Sequence, residues 1–389
     1  MNITRPATPH VVSIAEMPLG RGMAHAINTF KTTGGFQRLG LHVTLICQPP
    51  ENADNPARAL VDEWLDAYGE RGLDVITITA GRGLREREAS IAFASEGVRI
   101  ACEIGADLLY ARNFQCGLLG PRAGIPTVME THAHVGDPRP LLDEVFAATR
   151  AATHPLDAIV TISPALRDHY IARGADPARV HLVPDGADPE LFRRPDDFRT
   201  EPRTRPVALY SGHLYDYKGI PTILQAAERL PQVDWRLLGG LAEDIARVRD
   251  AASGLANVEV LGSVPHALVP RHLWDADVLL LPPSAGHVSA RWTSPVKLAE
   301  YLNARRPIAA SSIEGLRNWV AEPAVAWFTP DDHGSLAACV ERLLRETPSA
   351  RLAREESQQS LAARFTYANR ARAILAAAGI TLGAHSHAA

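Results

Sequence analysis

Lysine is almost missing from this chain of 389 residues: among 40 basic side chains only Lys31, Lys218 and Lys297 are lysine, and the rest are arginine. A compact ammonium and a planar guanidinium are not interchangeable at a tight anion site, so each surviving lysine is worth inspecting. Cysteine is scarce as well. Cys47, Cys102, Cys116 and Cys339 are scattered with no Cys-x-x-Cys pair, which argues against a disulfide framework and against a structural zinc site. No apolar run reaches membrane-spanning length, and the first residues, MNITRPATPH, lack the apolar core of a signal peptide. The expected location is therefore the cytoplasm. A formal charge of only −4 removes any reason to expect general nucleic-acid binding.

What is present is a soluble globular composition, 46% hydrophobic and 22% charged, on a chain long enough for two domains. Short apolar runs alternate with longer helical patterns. The first half predicts strands at 10–15, 42–47, 74–78, 107–110, 127–130, 158–162 and 180–183, with helical patterns at 23–39, 56–68, 84–104 and 164–172 between them. The second half predicts strands at 207–211, 235–238, 258–261, 278–281, 308–310 and 325–328. Alternation of this kind implies right-handed crossovers and parallel sheets covered on both faces, with ligands at the carboxyl ends of the strands. A charged, proline-rich stretch, RRPDDFRTEPRTRP, supplies the linker at 196–205 between an N-terminal domain, 1–195, and a C-terminal domain, 206–365.

The most informative stretch is WTSPVKLAEYLNARRPIAASSIEGLRNWV, 292–320, which reads as loop, helix, strand and loop. Ser294 is a good N-cap and Pro295 suits the first helical position. Leu298, Tyr301 and Leu302 repeat at helical spacing and bury one face, while Lys297 and Glu300 share a flank. Free N–H groups at Val296 and Lys297, beside an ammonium and the positive end of the helix dipole, make an anion site. One turn on, the Glu300 carboxylate suits two sugar hydroxyls. Phosphate plus sugar points to a nucleotide, although an ordinary capped helix would share the pattern.

Lys218 stands in a comparable place, after the 207–211 strand and before the helical pattern IPTILQAAERL. Two ammonium groups at strand ends suit a diphosphate. In the first half, Gly20 and Gly22 lie in a glycine-containing turn after the first strand. His132, with Glu130, His134 and Asp137, follows the 127–130 strand, but the spacing matches no standard zinc helix and no metal site is expected. Arg82, Arg85 and Arg87 offer a basic surface for peripheral contact with a lipid acceptor, yet Glu86 and Glu88 interleave and favour a solvated helix.

Four segments in register, VTISPALRDHYIARGADPARVHLVPDGADPELF, ALYSGHLYDYKGIPTILQAAERLP, LLGSVPHALVPRHLWDADVLLLPPS and TSPVKLAEYLNARRPIAASSIEGLRNWV, make the chain resemble a retaining glycosyltransferase of family 4 with the GT-B architecture. The resemblance implies an α/β fold of two Rossmann-like parallel-sheet domains facing a central cleft, with a last helix, 366–380, packing back on the first. It implies a nucleotide-sugar donor, UDP- or GDP-linked, no cofactor, no metal, and a glycan, lipid-linked or small-molecule acceptor. The catalytic set it implies is His132, Lys218 and Lys297. The implied donor-binding set is Gly20, Gly22, Gly212, His213, Val264, Ser294, Val296 and Glu300. Two departures stand out: His213 occupies a position where many members have arginine, and Trp292 replaces the first of the family's two glutamates. A Thr-Ser-Pro loop resembles a subgroup lacking that glutamate. Two other functions fit parts of the pattern, a sugar-nucleotide epimerase or phosphorylase on a related fold and a non-catalytic nucleotide-sugar-binding protein.

Overall fold

Side chains that alternate across each strand decide the layering of this molecule. The computed structural model describes residues 8–19, 24–50, 53, 55–132, 140–198, 203–294 and 296–382. Its strands are β1 His10–Pro18, β2 His42–Gln48, β3 Asp74–Thr77, β4 Leu108–Ala111, β5 Thr127–Glu130, β6 Ala158–Thr161 and β7 Val180–Leu182, then β8 Val207–Ser211, β9 Asp234–Leu238, β10 Val258–Gly262, β11 Val278–Leu281, β12 Ile308–Ser311 and β13 Ala326–Phe328. Every strand expected from the apolar runs forms, and β1 runs on to Pro18.

Contacts divide the chain into two units, Met1–Pro184 with Tyr367–Ala389, and Asp185–Thr366. The first holds a seven-stranded sheet ordered β3-β2-β1-β4-β5-β6-β7, and the second a six-stranded sheet ordered β10-β9-β8-β11-β12-β13. All pairs are parallel. In β1, Val11, Ala15 and Met17 enter one apolar layer and Val12 and Ile14 the other. In β8, Leu209 and Tyr210 divide in the same way. Such two-faced burial is what Rossmann-like parallel sheets require. The order reverses between β1 and β4 in one unit and between β8 and β11 in the other, and ligands of open parallel sheets bind outside the carboxyl ends at such points.

The helix Tyr367–Ala377 belongs to the first unit and buries Tyr367, Arg370, Ala371, Ile374 and Leu375, a stripe at helical spacing. It lies close against the helix Ala24–Gln37, because a Cβ on Gly35 would stand 2.5 Å from the Tyr367 carbonyl oxygen. The stretch 196–205, read from composition as a linker, falls inside the second unit. Its start is tied down there: Phe192 is buried, Trp274 Nε1 donates to the Phe192 carbonyl at 2.9 Å, and Arg305 donates to Asp196 at 2.6 Å.

The helix Val296–Ala304 buries Leu298, Tyr301 and Leu302, as its spacing predicts. The stretch after the strand, expected as loop, carries a single helical turn, Glu314–Arg317, and another, Ser289–Trp292, precedes the helix. They meet closely enough that a Cβ on Gly315 would lie 2.7 Å from the Ala290 carbonyl oxygen.

All three lysines are at least half-buried. Lys31 is fully buried, with Nζ 3.2 Å from Glu70 Oε1. Arg38 completes that ion pair at 2.9 Å. Burial raises the Glu70 carboxyl above its usual range, and Lys31 and Arg38 work against that shift.

Candidate active site

Two lysines and a histidine gather at the carboxyl end of β8, and the backbone there is glycine for steric reasons. Gly212 has φ 135°, and a Cβ on it would lie 2.1 Å from Lys297 Nζ. Gly239, after β9, has φ 111° and would place a Cβ 2.5 Å from the Gly212 carbonyl oxygen. Two strand-end turns and a lysine thus meet where side chains on either turn would collide.

Lys297, half-buried in the first turn of its helix, donates to the Tyr210 hydroxyl at 2.9 Å and lies 4.4 Å from the centre of that ring. The Tyr210 hydroxyl in turn donates to the His213 carbonyl at 2.7 Å. Burial, then the nearby Lys218, pulls the Lys297 ammonium down to about 7, with Glu300 opposing the shift. Lys218, at the end of the turn Asp216–Lys218, is also lowered by burial. Its Nζ lies 5.0 Å from the centre of the Tyr217 ring. His213 is lowered by burial and then by Lys297 and Lys218. Each of these groups holds its proton less firmly than it would in water, chiefly because it is buried, with neighbouring positive charge adding to the shift at Lys297 and His213.

His213 also begins a ladder of rings: His213 on Tyr215 at 5.1 Å, Tyr215 on Tyr217 at 5.4 Å, and Tyr217 on His287 at 4.0 Å between centroids. The ladder holds the loop before Lys218 in shape. Gly219, with φ 85°, fixes its other end, since a Cβ there would lie 1.8 Å from the Pro282 carbonyl oxygen.

Glu300 is buried one turn beyond Lys297, and His266 Nε2 lies 3.1 Å from its Oε1. His266 belongs to the turn His266–Leu268, which follows β10 and the half-buried Val264. Ser294 is buried and its hydroxyl accepts the Asp185 N–H at 3.1 Å. Val296 opens the helix beside Lys297. The second unit therefore brings Gly212, His213, Lys218 and Lys297 together, with Glu300 coupled to Lys297. Tyr210 and His266 join them, and neither stood out in the sequence.

The first unit carries its own polar cluster. Glu130, the last residue of β5, is fully buried and accepts from Tyr110, from Arg370, and from His132 Nε2 at 2.7 Å. Burial alone would raise its carboxyl, but Arg370 and Arg112 prevail and hold it well below the carboxylate range. Arg112 donates to Thr29 Oγ1 at 2.9 Å and to His132 Nδ1 at 3.3 Å. His132 is thus held at both ring nitrogens. Gly20 and Gly22 lie outside the described residues, as do His134 and Asp137. Among the described residues no group of three or more His, Cys, Asp or Glu is placed to hold a metal ion. A cavity of about 210 Å³ opens at the ends of β1, β2 and β3, lined by Pro18, Gln48, Pro49, Ile78, Thr79 and Arg82.

Comparison with known proteins bears on these two units separately. Residues 29–186 match the family described as glycosyl transferase 4-like domain, and residues 205–346 match glycosyl transferases group 1. Three solved structures share the fold at low identity. A glycosyltransferase of Rickettsia africae is 13% identical with a TM-score of 0.72, covering 95% of this chain and 98% of that one. HepE of Anabaena, solved with UDP and glucose, is 17% identical with a TM-score of 0.71 over 95% and 98%. The sucrose-phosphate synthase of Thermosynechococcus elongatus is 17% identical with a TM-score of 0.67 over 94% and 96%. No curated protein matches the sequence significantly. The architecture is GT-B. The two family matches support a glycosyltransferase with a 4-like first unit and a group 1 second unit.

Among the described residues no helix is long and apolar enough to cross a membrane.

Proposed function

We propose that this protein transfers a sugar from a UDP- or GDP-sugar to an acceptor hydroxyl, with retention of anomeric configuration and without a metal ion. The observation that carries the proposal is the placing of Lys218, Lys297 and His213 together at the end of β8, partly buried, with Lys297 and His213 further disfavoured as cations by their neighbours. A diphosphate relieves that crowding. As the sugar–phosphate bond breaks, negative charge grows on the leaving oxygen, and fixed cations beside it stabilise the transition state more than the ground state. Glu300 accepts from ribose hydroxyls in this scheme, with His266 holding the carboxylate in place. Val264 meets the base through its backbone, and Ser294 and Val296 shape the phosphate-facing helix start. Gly20 and Gly22 approach the transferred sugar, and His132 meets one of its hydroxyls. The acceptor, a glycan, a lipid-linked saccharide or a small molecule, occupies the cavity at the ends of β1 to β3.

Thermal-shift screening against UDP, GDP, ADP and dTDP and their sugars tests the donor assignment, because at one concentration the ligand that binds most tightly raises the melting temperature most. Product analysis by NMR then tests the reaction. Nucleotide release with a glycoside of unchanged configuration supports the proposal; an epimerised sugar nucleotide indicates the epimerase, and binding without turnover indicates a binding protein.

A further inference from the structure

The helix Tyr367–Ala377 carries Arg370 into the polar cluster around His132. We propose that Arg370 is a positioning residue for His132: by anchoring the Glu130 carboxylate it fixes the imidazole proton on Nε2 and leaves Nδ1 as the acceptor for a substrate hydroxyl. The proposal rests on the function above, in which His132 meets a hydroxyl of the transferred sugar.

Hydrogen-bond chemistry determines the tautomer. Glu130 is ionised and can only accept, so the 2.7 Å contact from His132 Nε2 must carry the proton on that nitrogen. A guanidinium can only donate, so the 3.3 Å contact from Arg112 Nη2 requires a lone pair on Nδ1. Both conditions describe one state, the neutral ring protonated at Nε2. The Arg112 contact is also long for a bond from a charged donor, which makes it the one a substrate hydroxyl can replace.

Arg370 holds Glu130 with little freedom. Its side chain is buried, Nη2 bonds Glu130 Oε2, Nη1 donates to the carbonyls of Val183 at 2.7 Å and Pro184 at 2.6 Å, and Nε donates to Thr32 at 3.1 Å. The guanidinium is thus fixed by the end of β7 and by the helix Ala24–Gln37. One Glu130 oxygen takes Arg370 and Tyr110, and the other takes His132, with Arg112 Nε 3.7 Å from it. A carboxylate placed in this way sets both the orientation and the tautomer of the ring it accepts from.

The test uses full-length Arg370→Met and Arg370→Lys, with three readouts: the His132 ring by ¹⁵N NMR, kcat against donor KM, and the melting temperature. Wild type should show the Nε2–H signature. Arg370→Met should show a mixed signature and a fall in kcat of about tenfold or more, with donor KM within about twofold. Arg370→Lys should recover the signature and most of kcat while still melting below wild type. A purely structural role would make activity follow melting temperature instead. A wild-type ring protonated on Nδ1 overturns the proposal even if Arg370→Met does not fold, and so does an Arg370→Met protein that keeps both signature and kcat. Undiminished turnover in His132→Ala would overturn the underlying role of His132, a separate result from the ring signature.

Discussion

Lys297 and Tyr210 are joined twice over: the ammonium donates to the phenol oxygen at 2.9 Å and rests 4.4 Å from the centre of the same ring. One aromatic residue at the heart of the second sheet thus orients the ammonium that we propose meets the leaving diphosphate. It also bonds the loop that carries His213.

Removing that hydroxyl tests the arrangement. Tyr210→Phe keeps the ring but leaves Lys297 and the His213 carbonyl without it. A net loss near 1.4 kcal/mol, about tenfold in nucleotide affinity, is expected by calorimetry. Unchanged affinity would remove Tyr210 from the site.

The Lys297 amine sets a pH dependence with opposite signs for binding and folding. In the free protein it loses its proton near pH 7, whereas the unfolded chain keeps it to about 10.5. Between those values the unfolded state binds more protons, so the stability of the free protein rises with pH across that window, and the cost of burying the charge is fully present below 7. Nucleotide binding needs the charged form and weakens above pH 7, by up to about tenfold per unit. The melting-temperature increase given by UDP or GDP should therefore shrink steadily from pH 7 to 9. A constant or growing increase would contradict the assignment.

Glu300 and His266 act as a pair. Glu300→Ala should cost about 1.5 to 3 kcal/mol of nucleotide affinity. His266→Ala should cost less, because the carboxylate remains, and the double variant should be no worse than Glu300→Ala. Additive losses would mean that His266 contacts the nucleotide directly.

Lysine-to-arginine replacement separates compact charge from charge alone. Lys218→Arg and Lys297→Arg should lower turnover by on the order of a hundredfold while remaining folded. Lys31→Arg does not serve as a neutral control, because Lys31 is fully buried against Glu70. That variant should lose about 1 to 3 kcal/mol of stability by overpacking, seen as a lower denaturant midpoint.

Chelation gives a simpler check. Activity should survive EDTA, because the proposed scheme uses Lys218 and Lys297 where other enzymes use a divalent ion. Loss of activity restored by a divalent ion would contradict the metal-free scheme.

Strands and strand ends were legible in the sequence because apolar runs and helix starts are local signals. The lysine scarcity likewise drew attention to Lys218 and Lys297. Their partners were not legible. Tyr210 lies in an apolar strand and reads as core, and it meets Lys297 across 87 positions. His266 meets Glu300 across 34 positions, and Arg370 meets Glu130 across 240. Such pairings are set by strand order and helix docking, and no local spacing encodes them. The boundary between units escaped for a related reason: charged composition at 196–205 resembles a linker, but Phe192, Trp274 and Arg305 tie its start to the second unit.

Calorimetric titration of the wild type and of Lys297→Met with UDP and GDP tests the central claim most directly. The wild type should bind one nucleotide at least tenfold more tightly than the other. Lys297→Met should bind that nucleotide about a hundredfold more weakly and, relieved of a buried charge, melt at an equal or higher temperature in the absence of ligand. Equal binding by the two proteins, or no binding of either nucleotide by the wild type, would contradict a diphosphate site built on Lys297.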